Sequence, residues 1–263
     1  MNRIVNTFEN LKNNNKKALI PFVTAGDPSP ELTIEIMHEM VKNGADLIEL
    51  GIPFSDPMAD GPVIQRSSER AIENGIGIKK TIEIAKKFRK NNKETPIILM
   101  GYANPIEAIG VDNFIDLASD ADVDGVITVD YTPEESVTFS KKLKEKNIET
   151  IYLIAPTTDE NRIKLVLKLA SGFLYYVSLK GVTGASNIDI KEVEGKINTI
   201  KKYTQLPIAV GFGVRNEETA KQVATIADGV VIGSRVVNEI EDSEPGKLIG
   251  NIANLIKIIK KAL

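Results

Sequence analysis

The chain has 263 residues, 42% of them hydrophobic, which is enough for one large core, and α/β barrels of roughly 250 residues form single domains. Its 33 basic and 36 acidic residues nearly cancel, so it carries no electrostatic footprint for nucleic acid or an anionic membrane surface. With no cysteine and His38 as its one histidine, it has no means for a disulfide framework, a thiolate or histidine-rich metal site, or a cysteine nucleophile.

The opening stretch MNRIVNTFENLKNNNKKALI is polar and amphipathic. It suits an extra N-terminal helix and lacks the apolar core of a secretory signal. No apolar run reaches the 18 or so residues that span a membrane, and a cytoplasmic location is expected. The asparagine-lysine cluster Asn13–Lys17 reads as a solvated turn. From there short apolar runs alternate with amphipathic stretches. The runs expected as strands are Ala18–Thr24, Leu47–Gly51, Pro96–Gly101, Gly125–Val129, Thr150–Ala155, Phe173–Ser178, Pro207–Gly211 and Gly229–Gly233. Helical periodicity appears at Glu31–Lys42, Glu134–Lys146, Glu160–Ala170, Glu217–Thr225 and Lys247–Lys260. Eight strands alternating with helices predict a (β/α)8 TIM barrel over residues 1–263 as one domain, with an open doubly wound sheet as the rival. The loops after strands 2 and 6 are extended, and extra length at a strand's carboxyl end is where a barrel builds its site.

Alternation along Leu47–Gly51 turns Glu49 inward, where an unpaired carboxylate gains pKa and suits general acid/base work. The same placement fits a structural ion pair, and the strand alone does not separate the two. Asp60 ends a loop stiffened by Pro53 and Pro57, able to hold a carboxylate over the barrel mouth. It also sits just before a helix expected from Pro62, and a helix cap is the plainer reading. Glycines follow three adjacent strands: Gly181 and Gly184, Gly211 and Gly213, and Gly233 ahead of Ser234. Together they suit a phosphomonoester, because glycine lets backbone N–H groups approach an anion. Phe22, Met100, Ile127, Leu153, Tyr175 and Phe212 fall in or at the ends of strand runs. They could form an apolar slot for an aromatic ring or be ordinary barrel core. His38 lies mid-helix among Glu35, Glu39 and Lys42 and reads as a solvated surface residue.

The segments PFVTAGDP (Pro21–Pro28), ELGIPFSDPMADGPVIQ (Glu49–Gln65), MGYANP (Met100–Pro105), YYVSLKGVTGA (Tyr175–Ala185), VGFGVRN (Val210–Asn216) and ADGVVIGS (Ala227–Ser234) resemble the tryptophan synthase alpha subunit in order and spacing. The resemblance covers the chain nearly end to end and implies a lyase acting on indole-3-glycerol phosphate in tryptophan biosynthesis. It implies that Glu49 moves protons at indole carbon 3 and the 3′-hydroxyl, that Asp60 accepts from the indole N–H, and that Tyr175 positions the substrate. Phe22, Met100, Ile127, Leu153 and Phe212 would hold the indole, Thr183 would close a loop onto Asp60, and Gly184, Gly213, Gly233 and Ser234 would bind the phosphate. No metal and no cofactor is implied for this chain. Pyridoxal phosphate is implied for a beta subunit in an αββα complex, met through the Pro53–Asp60 loop, Asn104 and the stretch after the fourth strand. There the chain departs from the family, with Thr132 in place of a common proline. A free-standing lyase, an idle activator of a beta subunit and a sugar-phosphate isomerase are the rival expectations.

Overall fold

The computed structural model describes residues 2–178, 190–211, 213–214, 216–244 and 246–263. Its centre is a closed barrel of eight parallel strands in sequential order. They are β1 (Ala18–Thr24), β2 (Ile48–Gly51), β3 (Ile97–Gly101), β4 (Gly125–Thr128), β5 (Glu149–Ile154), β6 (Leu174–Val177), β7 (Ile208–Gly211) and β8 (Gly229–Ile232). β1 closes the cylinder by pairing with both β2 and β8, which excludes the open-sheet rival.

Around the barrel lie α1 (Arg3–Asn13), α2 (Pro30–Lys42), α3 (Pro62–Glu73), α4 (Ile78–Asn91), α5 (Ala103–Ile109), α6 (Val111–Asp120), α7 (Val137–Glu145), α8 (Glu160–Leu167), α9 (Ile190–Lys201), α10 (Glu217–Ala224), α11 (Ser234–Asp242) and α12 (Leu248–Lys261). The long interval between the second and third strands holds both α3 and α4. None of the described helices is long and apolar enough to cross a membrane.

The two periodicities sort the core into two layers. Alternate strand residues Ala18, Ile20, Ile98, Ile127, Ile151, Tyr175, Ala209 and Val231, with Leu47 and Phe173 just ahead of β2 and β6, fill the interior of the cylinder. Their neighbours Leu19, Val23, Ile48, Leu50, Leu99 and Val210 join the helix faces in the larger outer layer. α1 stoppers the amino-terminal end: Ile4 and Phe8 belong to the interior layer, and Phe8 meets Phe173 at 5.4 Å between ring centres. Asn2 caps α1 through the Ile4 N–H and donates to the carbonyls of Asp124 and Asn147.

His38 departs from its sequence reading. Its ring stacks on Phe88 of α4 at 4.4 Å, and its Nε2 is buried, so burial lowers its pKa. It is a packing residue between α2 and α4, where helix–helix contact overrides the charged sequence around it.

Candidate active site

Glu49 lies on β2, paired in register with Phe22 on β1 and Ile98 on β3. It is fully buried, and neither carboxylate oxygen has a hydrogen-bond partner among the described residues. The ion-pair reading therefore fails. Loss of water pushes its pKa up to about 8, because nothing nearby compensates the charged form.

Asp60 ends the loop that rises from β2. The cap reading fails as well: the N-cap of α3 is Gly61, with Pro62 opening the helix and no side chain capping it. The Asp60 backbone carbonyl accepts from Gln65 Nε2 at 2.8 Å, which ties the loop to the first turn of α3. Its carboxyl group is thereby left to face Tyr102. Burial raises the Asp60 pKa to about 6, and the hydrogen bond from Tyr102 partly offsets that rise. The Tyr102 hydroxyl also accepts from the Ala59 N–H at 3.1 Å, and its ring tilts against Phe54 at 5.4 Å. Tyr102 thus fixes both the backbone and the carboxylate of the loop.

Tyr175 on β6 completes the acidic constellation. Its phenol is raised well above the ordinary value by burial first, then by the charges of Glu49 and Asp60. Its ring runs over Gly211 on the adjacent strand, where a methyl group would stand 2.1 Å from the Tyr175 hydroxyl. The Phe22 ring makes the same use of Gly51, at 2.5 Å from where a Cβ would lie. Two glycines at strand ends therefore make room for two aromatic rings.

Phe22, Met100 and Asp60 line one cleft at the carboxyl ends of the first strands, with Thr24, Ile52, Ile64, Ser68 and Tyr102. Its free volume is about 20 Å³, room for roughly one water. An aromatic ring enters it only if the walls part. Leu153, beside Tyr175 in register, and Ile127, beside Met100, belong to the barrel interior below. Thr183, Gly184 and Phe212 lie outside the described residues. Gly213 has φ +81°, a conformation that glycine adopts freely. Gly233 is the N-cap of α11, whose first turn, beginning at Ser234, has no side-chain cap. Uncapped N–H groups and the positive end of a helix dipole are features that suit an anion.

Several residues here were not legible from sequence. Tyr102 stands in the quoted segment MGYANP, but nothing local says that its hydroxyl reaches a loop 42 residues earlier. Thr24 and Ser67 share a 2.6 Å hydrogen bond that ties the end of β1 to α3. Neither has a motif of its own.

Comparison with known proteins agrees with this geometry. The family profile described as Tryptophan synthase alpha chain matches residues 8–261. Among curated relatives, the tryptophan synthase alpha chain of Nitrosomonas europaea is 53% identical over 263 residues, covering 100% of this chain and 96% of that one. That of Janthinobacterium sp. (strain Marseille) is 54% identical, covering 100% and 99%. Among solved structures, tryptophan synthase subunit alpha from Legionella pneumophila str. Paris superposes with a TM-score of 0.93 at 45% identity, covering 100% of this chain and 98% of that one. The chain belongs to the tryptophan synthase alpha chain family, the enzyme subunits that cleave indole-3-glycerol phosphate in tryptophan synthesis.

Proposed function

We propose that this chain cleaves indole-3-glycerol phosphate by a retro-aldol reaction in which Glu49 carries the protons and Asp60 serves as a fixed carboxylate. The observation that carries the assignment is the contrast between the two acids. Glu49, dry and held at about 8, is protonated at neutral pH, whereas Asp60, at about 6, is ionised. Glu49 gives its proton to indole carbon 3, and Asp60 accepts from the indole N–H as positive charge develops on the ring. The Glu49 carboxylate then takes the proton of the glycerol 3′-hydroxyl. The bond between indole carbon 3 and the side-chain carbon breaks, and its electron pair restores the aromatic ring. The new carbonyl leaves as the aldehyde of glyceraldehyde 3-phosphate, and Glu49 ends protonated as it began.

In this scheme Tyr175 positions the substrate beside Glu49, and Phe22, Met100, Ile127 and Leu153 hold the indole with Phe212 and Thr183. Gly213, Gly233 and Ser234, with Gly184, take the phosphate, which lies remote from the bond broken and orients it. Glu49 carries both proton transfers and Asp60 meets the developing charge, so the reading assigns no metal or organic cofactor to this chain. Pyridoxal phosphate is assigned to a beta partner. Docking to that partner is supported by the Pro53–Asp60 loop, where Met58 is 78% exposed beside a cavity of about 350 Å³ between Phe54, Pro57 and Gln65. Val137, at the start of α7, is also exposed, at 53%. Thr132 accepts from the Glu135 N–H at 3.3 Å and donates to the Glu135 carboxylate at 2.8 Å, so the departure from the family's proline keeps its turn by another bond. A cytoplasmic location and a single folding unit over residues 1–263 belong to the same reading.

The test is indole release from indole-3-glycerol phosphate by the purified chain, with and without a beta subunit. Glu49→Gln and Asp60→Asn are each expected to lower kcat by at least about 100-fold, the lower range for an acid/base group, with unchanged circular dichroism. Near-normal turnover in either folded variant would remove that residue from the mechanism.

A further inference from the structure

At the end of the barrel opposite the proposed active site, a cavity of about 470 Å³ opens between the turn that follows α1 and the loop entering β7. That volume lies within the range of small-molecule sites. Its apolar floor comes from Phe8, Leu11, Leu206 and Pro207. Four of its lining residues are lysines, and their charges are not balanced. Lys201 pairs with Asp228, whose carboxylate is also bound by the Ile208 N–H, so these two cancel. Lys12, Lys16 and Lys17 have no carboxylate within ion-pair distance among the described residues. Three uncompensated cations therefore border an apolar floor in a protein whose net charge is −3.

Solvated lysines normally lay their methylene stems along the helix surface and keep the ammonium group in water. Here the last turn of α1 and the turn after it gather three of them at the rim of a concavity, and Asn15 makes that turn with φ +55°. We propose that this groove is a second ligand site, which takes a small organic anion with an apolar body: an arylalkyl carboxylate or phosphate monoester. The body lies on Phe8, Leu11, Leu206 and Pro207, and the anionic group is held by Lys12, Lys16 and Lys17. Lysine ammonium groups act as point charges, so they bind either anion; the carboxylate and phosphate cases differ in charge and in the number of oxygens offered. Because Phe8 also packs inside the barrel against Phe173, a bound ligand braces the stopper helix α1 as well.

The test is a two-dimensional amide NMR titration of the full chain at low salt with phenyl phosphate, phenylacetate and, as a cationic control, benzylamine. Saturable shifts are expected at Lys12, Asn15, Lys16, Lys17, Gln205 and Leu206 with both anions and not with benzylamine. A steeper response to phenyl phosphate identifies a phosphate site, and an equal response identifies a general carboxylate site. The double variant Lys12→Ala, Lys16→Ala changes two exposed side chains far from the proposed lyase residues. It is expected to weaken the anions' affinity by about tenfold or more, on the order of two partly screened charge contacts, with unchanged indole release. Saturable shifts confined to the carboxyl-terminal mouth, equal shifts with benzylamine, or unaltered affinity in the double variant would each overturn the proposal.

Discussion

At the scale of single residues, the site rests on two carboxyl groups whose surroundings separate their titrations. Glu49 has no hydrogen-bond partner among the described residues, and Asp60 has Tyr102. The proposed reaction needs Glu49 protonated and Asp60 ionised, so kcat/KM is expected to rise through about pH 6 and fall through about pH 8. Tyr102→Phe removes the bond that favours the ionised form of Asp60, and so should move the acid limb upward while leaving the alkaline limb in place. A profile without either limb would contradict the assignment. Stability carries the same signature with a defined sign. The Glu49 pKa is raised from an ordinary 4.5 to about 8, so the folded state binds a proton that the unfolded chain releases. Stability is therefore lost as pH rises between those values. Glu49→Gln removes the loss, and its Tm relative to the parent should be higher at pH 9 than at pH 5.

At the scale of elements, strand ends decide where rings can go. Gly211 lets the Tyr175 ring cross β7, and an added methyl would stand 2.1 Å from its hydroxyl and 2.4 Å from a ring carbon. Gly211→Ala is expected to cost about 1–3 kcal/mol by overpacking and to lower kcat by displacing Tyr175 from Glu49. Urea denaturation and steady-state kinetics on the same variant separate the two effects. The alternation that places Glu49 and Tyr175 inward is readable from sequence, because a period of two assigns faces without any tertiary knowledge. The helix boundary at Asp60 shows the limit of that reading. Asp60, Gly61 and Pro62 all carry start signals, and the first helical bond, from the Gln65 N–H to the Gly61 carbonyl at 3.0 Å, puts the cap at Gly61.

At the scale of the whole molecule, the amino-terminal rim of the barrel repeats one device at every second strand. Asp46, Asp124, Ser171 and Asp228, each just ahead of an even-numbered strand, accept from the N–H of Leu19, Ile97, Thr150 and Ile208 on the preceding odd strand, at 2.7–3.0 Å. These acceptors satisfy backbone donors at the sheet's lower end. Asp124 does more, since Arg3 from α1 and Arg89 from α4 each reach its carboxylate at 2.8 Å. Burial raises the Asp124 pKa and lowers that of Arg89, the mark of a desolvated pair held by geometry. Asp124→Ala removes the nearest carboxylate of the buried Arg89, leaves the Ile97 N–H without its acceptor and deletes one of the bonds that tie α1 to the rim. It should cost about 3–5 kcal/mol in chemical denaturation, well beyond an exposed ion pair. A loss under about 1 kcal/mol would show that the rim is not held this way.

Sequence by itself determined the number of strands, their order along the chain and the inward faces, because hydrophobic period is a local property, and it singled out the two carboxylates without deciding between their readings. Tertiary structure alone decided that Glu49 is unpaired among the described residues, that Asp60 answers to Tyr102 rather than to a helix end, that His38 packs on Phe88, and that the lysines of Asn13–Lys17 edge a cavity. Each of those facts depends on which distant segment closes over a side chain. Solvent exclusion and hydrogen-bond partnership arise only when the cylinder shuts.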